Sequence, residues 1–152
     1  MNKMNYTVEE LLPILLEVIE SGGEFRFYPR GTSMLPLLRQ ERDSVVLVRP
    51  DTLSCGDICL YRRANGKFVL HRLMKIEKDG TLTFCGDNQT ALERGLSREA
   101  VIARVSAIYR DDKRIEMSAL SSRLYRLSHI KQPFRTLRFL PRRIKLALRP
   151  KS

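Results

Sequence analysis

The sequence predicts a mainly β fold: a compact antiparallel, barrel-like domain with an N-terminal helix and a basic helical C-terminal tail. Two observations point there. Between Glu24 and about Met117, short runs rich in Val, Ile, Phe and Tyr follow a period of two and are separated by turn residues, as half-buried strands are. On either side of that stretch apolar residues recur every three or four positions, the spacing of one helix face. The chain has 152 residues, enough for one domain and its appendages. Its segments divide as 1–23, 24–118 and 119–152.

The first element, TVEELLPILLEVIESGG, carries signals at both ends. Thr7 and Glu10 have capping-box spacing, and Gly22 or Gly23 supplies the left-handed position that stops a helix. Pro13 is too deep for a first-turn proline, so a kink or a later start is expected. The runs EFRFYPR, SVVLVRP, DICLYRR, KFVLHRLMKIEK, TLTFCGD and VIARVSAIYR then read as strands. Turns at Cys55-Gly56-Asp57, Ala64-Asn65-Gly66, Asp79-Gly80 and Asp111-Asp112-Lys113 separate several of them. DNQTALERGLSREA, between the last two long strands, reads as an ordered loop or short helix. After Ser118, Leu120, Leu124, Leu127, Ile130, Phe134, Leu137, Ile144 and Leu148 fall mostly three or four apart, with Pro133 and Pro141 dividing the pattern.

The formal charge of +11 is concentrated at one end. From Arg123 onward ten Lys or Arg occur with no acid, leaving 18 of the 28 basic residues against all 17 acids in the rest of the chain. A nearly neutral body with a cationic amphipathic tail suits an anionic membrane surface better than nucleic acid, because no nucleic-acid module is visible and the body adds almost no field. A tail packed on the domain is the competing reading. Cys55, Cys59 and Cys85 include no pair at Cys-x-x-Cys spacing, which argues against a disulfide framework or a zinc site and for a reducing compartment. Glu9, Glu10, Glu17 and Glu20 interrupt the N-terminal leucines, so neither a signal peptide nor a spanning helix is expected. The expected location is cytoplasmic, peripheral at the inner face of the membrane.

Two residue types suggest chemistry. Ser33 lies in GTSMLPLL, a turn following a strand, where a hydroxyl is exposed and its own N–H can face a carbonyl. Serine attacks only when a base removes its proton. His71, in VLHRLMKI, occupies a strand interior where a buried imidazole needs a partner. Alone, each is more often a plain turn residue or a satisfied structural histidine.

Their order raises the weight. Ser33-Met34-Leu35-Pro36, then Gly56-Asp57-Ile58, then His71-Arg72, then Gly86-Asp87-Asn88 followed by Glu93-Arg94-Gly95-Leu96, resembles the signal peptidase I family of serine endopeptidases. The likeness is to the endoplasmic-reticulum and archaeal branch, which shares its fold with the LexA-type self-cleaving repressors. By that resemblance Ser33 is the nucleophile and His71 the general base. Asp87 and Glu93 are the acids that set the imidazole's tautomer or hold its loop, with the choice between them open. Thr32, Met34 and Pro36 would shape the substrate and oxyanion side; Met34 also reads as core. The chain departs from the pattern at Glu93, where the family has aspartate, and at Gly31, where signal peptidases commonly carry a serine. No metal or cofactor is implied. The expected substrate is a leader or propeptide with small side chains at the cleavage position. The alternatives are an idle peptide-binding or membrane-docking module of the same fold, and a LexA-like self-cleaving regulator; against the latter, no Ala-Gly dipeptide occurs. Oligomeric state is not legible.

Overall fold

The computed structural model describes residues 6–118. The basic helical tail expected over 119–152 lies outside the described residues.

Helix α1 spans Val8–Glu20. The Thr7 hydroxyl accepts the Glu10 N–H while Glu10 accepts from the Thr7 N–H, so two otherwise orphaned donors are satisfied reciprocally. The helix runs through Pro13 rather than starting after it. It ends where Gly22 adopts φ +84° and Gly23 donates to the Val18 carbonyl.

Eight strands follow: β1 Phe25–Phe27, β2 Asp43–Val48, β3 Ile58–Arg62, β4 Phe68–Ile76, β5 Leu82–Cys85, β6 Glu93–Leu96, β7 Val101–Arg110 and β8 Lys113–Glu116. All pairings are antiparallel, in the order β1-β2-β7-β3-β4-β5-β6. β8 joins β7 through a two-residue turn in which Asp111 and Asp112 both have positive φ, at 48° and 61°. The sheet does not close, so the barrel-like expectation is corrected to an open antiparallel sheet. The segment expected as a loop or short helix contains β6 and a 3-10 turn at Arg98–Ala100.

Alternation along the strands produces two cores. Leu15 and Ile19 of α1 pack with Phe27, Val45, Leu47, Ile58, Leu60 and Val105 on one face, which makes the helix part of the sheet's own core. Cys59, Tyr61, Leu73, Leu82, Phe84 and Val101 form a smaller cluster on the other. Each large side chain so enclosed contributes ~1.5–3 kcal/mol. Among the described residues no helix is long and apolar enough to cross a membrane.

Candidate active site

Neighbours in a strand point to opposite faces, so His71 and Arg72 serve different surroundings. Across β3, His71 faces Cys59 and Arg72 faces Ile58. Arg72 is fully buried, an arrangement tolerated only when its charge is matched. Its Nε and Nη2 donate to the two Asp87 carboxylate oxygens, at 2.7 Å each, and Nη1 donates to the Gly56 carbonyl at 2.8 Å. The Gly56 N–H donates to the Leu73 carbonyl and the Leu73 N–H to the Asp57 carbonyl, both at 2.7 Å. Past Asp87, the Asn88 N–H donates to the Ser33 carbonyl at 2.8 Å. Gly86 runs so close that a Cβ there would sit 2.7 Å from that carbonyl oxygen. Four stretches distant in sequence are thereby joined around one guanidinium and one glycine.

Ser33 is half-buried in a loop shaped by its own backbone. The Thr32 carbonyl accepts the Leu35 N–H at 3.1 Å, and the Met34 carbonyl accepts the Leu38 N–H at 2.9 Å. Gly31, at φ +87°, donates its N–H to Gln40 Oε1. The Leu35–Pro36 peptide is cis. Met34 and Leu38 are buried in the larger core and anchor the loop, while Thr32 and Pro36 are exposed. Among the described residues, neither the Ser33 hydroxyl nor its amide N–H takes part in a hydrogen bond. Ser33 lines a pocket of about 110 Å³ together with Met34 and with Phe68, Val69 and Leu70, which precede His71 on β4; His71 itself does not line it.

His71 is about 1% exposed and is held at one ring nitrogen. Nδ1 lies 3.1 Å from the Tyr61 hydroxyl and 3.4 Å from Glu93 Oε1. Burial is the largest influence on the imidazole and holds its pKa below the ordinary 6.5; Glu93 and Asp87 pull the other way and Arg63 works with burial. At neutral pH it is the uncharged form that occupies the site. Glu93 is in turn gripped by Arg63, whose Nε donates to Oε2 at 2.9 Å and whose Nη2 donates to Oε1. Those bonds hold the Glu93 carboxyl below its usual range, against the effect of burial. Burial, assisted by Glu93, pushes the Tyr61 phenol upward, so it stays protonated. Cys59, directly across from His71, is no rival nucleophile: burial pushes its thiol up to about 12, which leaves essentially no thiolate.

Of the sequence-derived candidates, His71 and Glu93 meet at Nδ1, whereas Asp87 is engaged by Arg72. Ser33 is tied to the turn beside Asp87, and among the described residues no hydrogen bond joins its hydroxyl to His71. Met34 is both core and pocket wall. Tyr61 and Arg63 are the residues that sequence reasoning missed. Both lie in DICLYRR; the role of Tyr61 becomes visible only once β3 is set in register against β4, and that of Arg63 once Glu93 of β6 is found against it. Comparison of the chain with protein-family models, curated proteins and solved structures returns no match.

Proposed function

We propose that this protein is a serine endopeptidase of signal-peptidase type, with Ser33 as nucleophile, His71 as general base and Glu93 as the acid behind it. The observation that carries the reading is the division of His71: Nδ1 is held by Glu93 and Tyr61, and Nε2 has no hydrogen-bond partner among the described residues. A neutral imidazole whose proton sits on Nδ1 presents a lone pair at Nε2, as a base requires. The pair is complete when Ser33 Oγ comes to ~3 Å from Nε2, the reach a base needs. Ser33 Oγ then attacks the peptide carbonyl carbon as Nε2 takes its proton. The free Ser33 N–H faces the oxyanion, and His71 returns the proton to the departing amine. Water, activated by the same nitrogen, hydrolyses the acyl-enzyme. The substrate class is a leader or propeptide with small residues at the cut, met at an anionic membrane surface to which the basic tail binds.

The missing Ser33–His71 hydrogen bond favours one competitor, an idle peptide-binding module of the same fold. A degenerate synthetic peptide pool separates the two. The full chain is expected to generate new peptide N-termini, detected by mass spectrometry, that Ser33→Ala does not. Binding of pool peptides with no new termini would support the idle module.

A further inference from the structure

The strongest feature outside the proposed Ser33, His71 and Glu93 group is a phenol. The Tyr61 hydroxyl is nearer to His71 Nδ1, at 3.1 Å, than the Glu93 carboxylate is, at 3.4 Å. The Tyr61 ring is fully buried and stacks on Phe84 at 4.4 Å between centroids, and it meets the His71 ring edge-on at 6.0 Å. In the register of β3 against β4, Tyr61 pairs with Val69 and Cys59 with His71, so Tyr61 sits diagonal to His71 on the same face. Its position is set by the sheet, and the hydroxyl has little freedom to turn elsewhere.

A phenol has one proton to give and lone pairs to receive with, whereas an ionised carboxylate can only accept. The Tyr61 hydroxyl and Glu93 Oε1 both approach Nδ1, and the carboxylate, with the Arg63 guanidinium behind it, also acts on the phenol. A hydrogen bond to an ionised acceptor is roughly twice as strong as one between neutral groups. The phenol proton therefore goes to Glu93, and the phenol oxygen is left to accept from Nδ1. The reverse arrangement, Tyr61 donating to Nδ1, would place the imidazole proton on Nε2 and leave Glu93 facing a lone pair. Arg63 closes the chain by fixing both Glu93 oxygens.

We propose that Tyr61 is a positioning residue, which accepts the Nδ1 proton of His71 while donating its own to Glu93, so that the neutral imidazole is locked with Nε2 open toward Ser33. This rests on the reading of Ser33 and His71 as nucleophile and base, but its primary test does not need a substrate.

The full chain, labelled with ¹⁵N-histidine and carrying His129→Gln so that one imidazole remains, is measured at pH 8 by long-range ¹H–¹⁵N correlation. His71 is expected as the Nδ1–H tautomer. Tyr61→Phe, which keeps the ring stacked on Phe84, is expected to bring in a measurable Nε2–H population. On any peptide that the wild type cleaves, the same variant should lower kcat by roughly ten- to a hundredfold, less than the ~10²–10⁴-fold of a whole general-base contribution, and leave KM nearly unchanged. A wild-type His71 in the Nε2–H form overturns the proposal, even if Tyr61→Phe fails to fold. So does a folded Tyr61→Phe whose tautomer is unchanged. A tautomer that responds as expected in a chain that cuts no peptide sustains the role of Tyr61 and places the fault with Ser33.

Discussion

At the scale of single residues, the dipeptide His71-Arg72 divides one site into two jobs. His71 points toward Tyr61 and Glu93, and Arg72 points away to hold Asp87. The two acids should therefore fail differently. Asp87→Asn leaves a fully buried guanidinium without its counter-charge, and breaking such a pair costs about 3–5 kcal/mol. The expected result is a lowered denaturation midpoint with activity falling in step. Glu93→Gln faces a half-buried, partly exposed pair, so stability should change far less while turnover falls by a hundredfold or more. Equal stability losses in both variants would contradict that division. The depressed His71 pKa also fixes the acid limb of the rate: turnover should be complete at pH 7 and lost with a midpoint below 6.5, as Nε2 is protonated. Stability should follow the same sign. Below 6.5 the unfolded chain takes up the imidazole proton before the native one does, so the native state weakens as pH falls from there toward the depressed value. His71→Gln should flatten that decline in a series of thermal melts.

At the scale of elements, legibility tracked whether a strand has an apolar side. β2, β3, β4, β5 and β7 bury Val, Leu, Ile or Phe at alternating or successive positions, and a period of two or a short apolar run is readable in each. β6 is Glu-Arg-Gly-Leu at the free edge, with Gly95 at φ +73°, and its pairing with β5 comes from backbone bonds rather than an apolar pattern. Ser33, His71 and Glu93 could be proposed from motif order, but Tyr61 and Arg63 could not, because Tyr61 reaches Nδ1 only through the β3–β4 register and Arg63 acts only through its hold on Glu93. The glycine of Gly86-Asp87-Asn88 also looks like a plain turn residue in sequence, yet its missing side chain is what lets the Ser33 carbonyl approach. Gly86→Ala would force a methyl against the Ser33 backbone, with Cβ 2.7 Å from that oxygen and 2.8 Å from Gln89 Oε1. Displacement of the serine loop is expected, with cleavage reduced at least tenfold and stability lowered by ~1–3 kcal/mol, the usual range for overpacking. Wild-type turnover in Gly86→Ala would mean that this contact does not hold the loop.

At the scale of the molecule, a nearly neutral body is followed by a segment with ten cations and no acid. If that tail binds anionic membrane, the full chain should co-sediment with vesicles containing phosphatidylserine and release as salt rises. A chain ending at Ala119 should remain in the supernatant. Aggregation of the shortened chain would instead show the tail covering the sheet. Either result leaves the proposed chemistry standing, because the Ser33 loop, β3, β4 and β6 all precede residue 119. The central claim is that Ser33 and His71 act as one unit, and the most direct measurement is a comparison of peptide cleavage by the full chain, Ser33→Ala, His71→Ala and the double variant. Each single change is predicted to remove at least about a thousandfold of the rate, and the double to remove no more than either alone. Full activity in Ser33→Ala, or losses that multiply in the double variant, would contradict it.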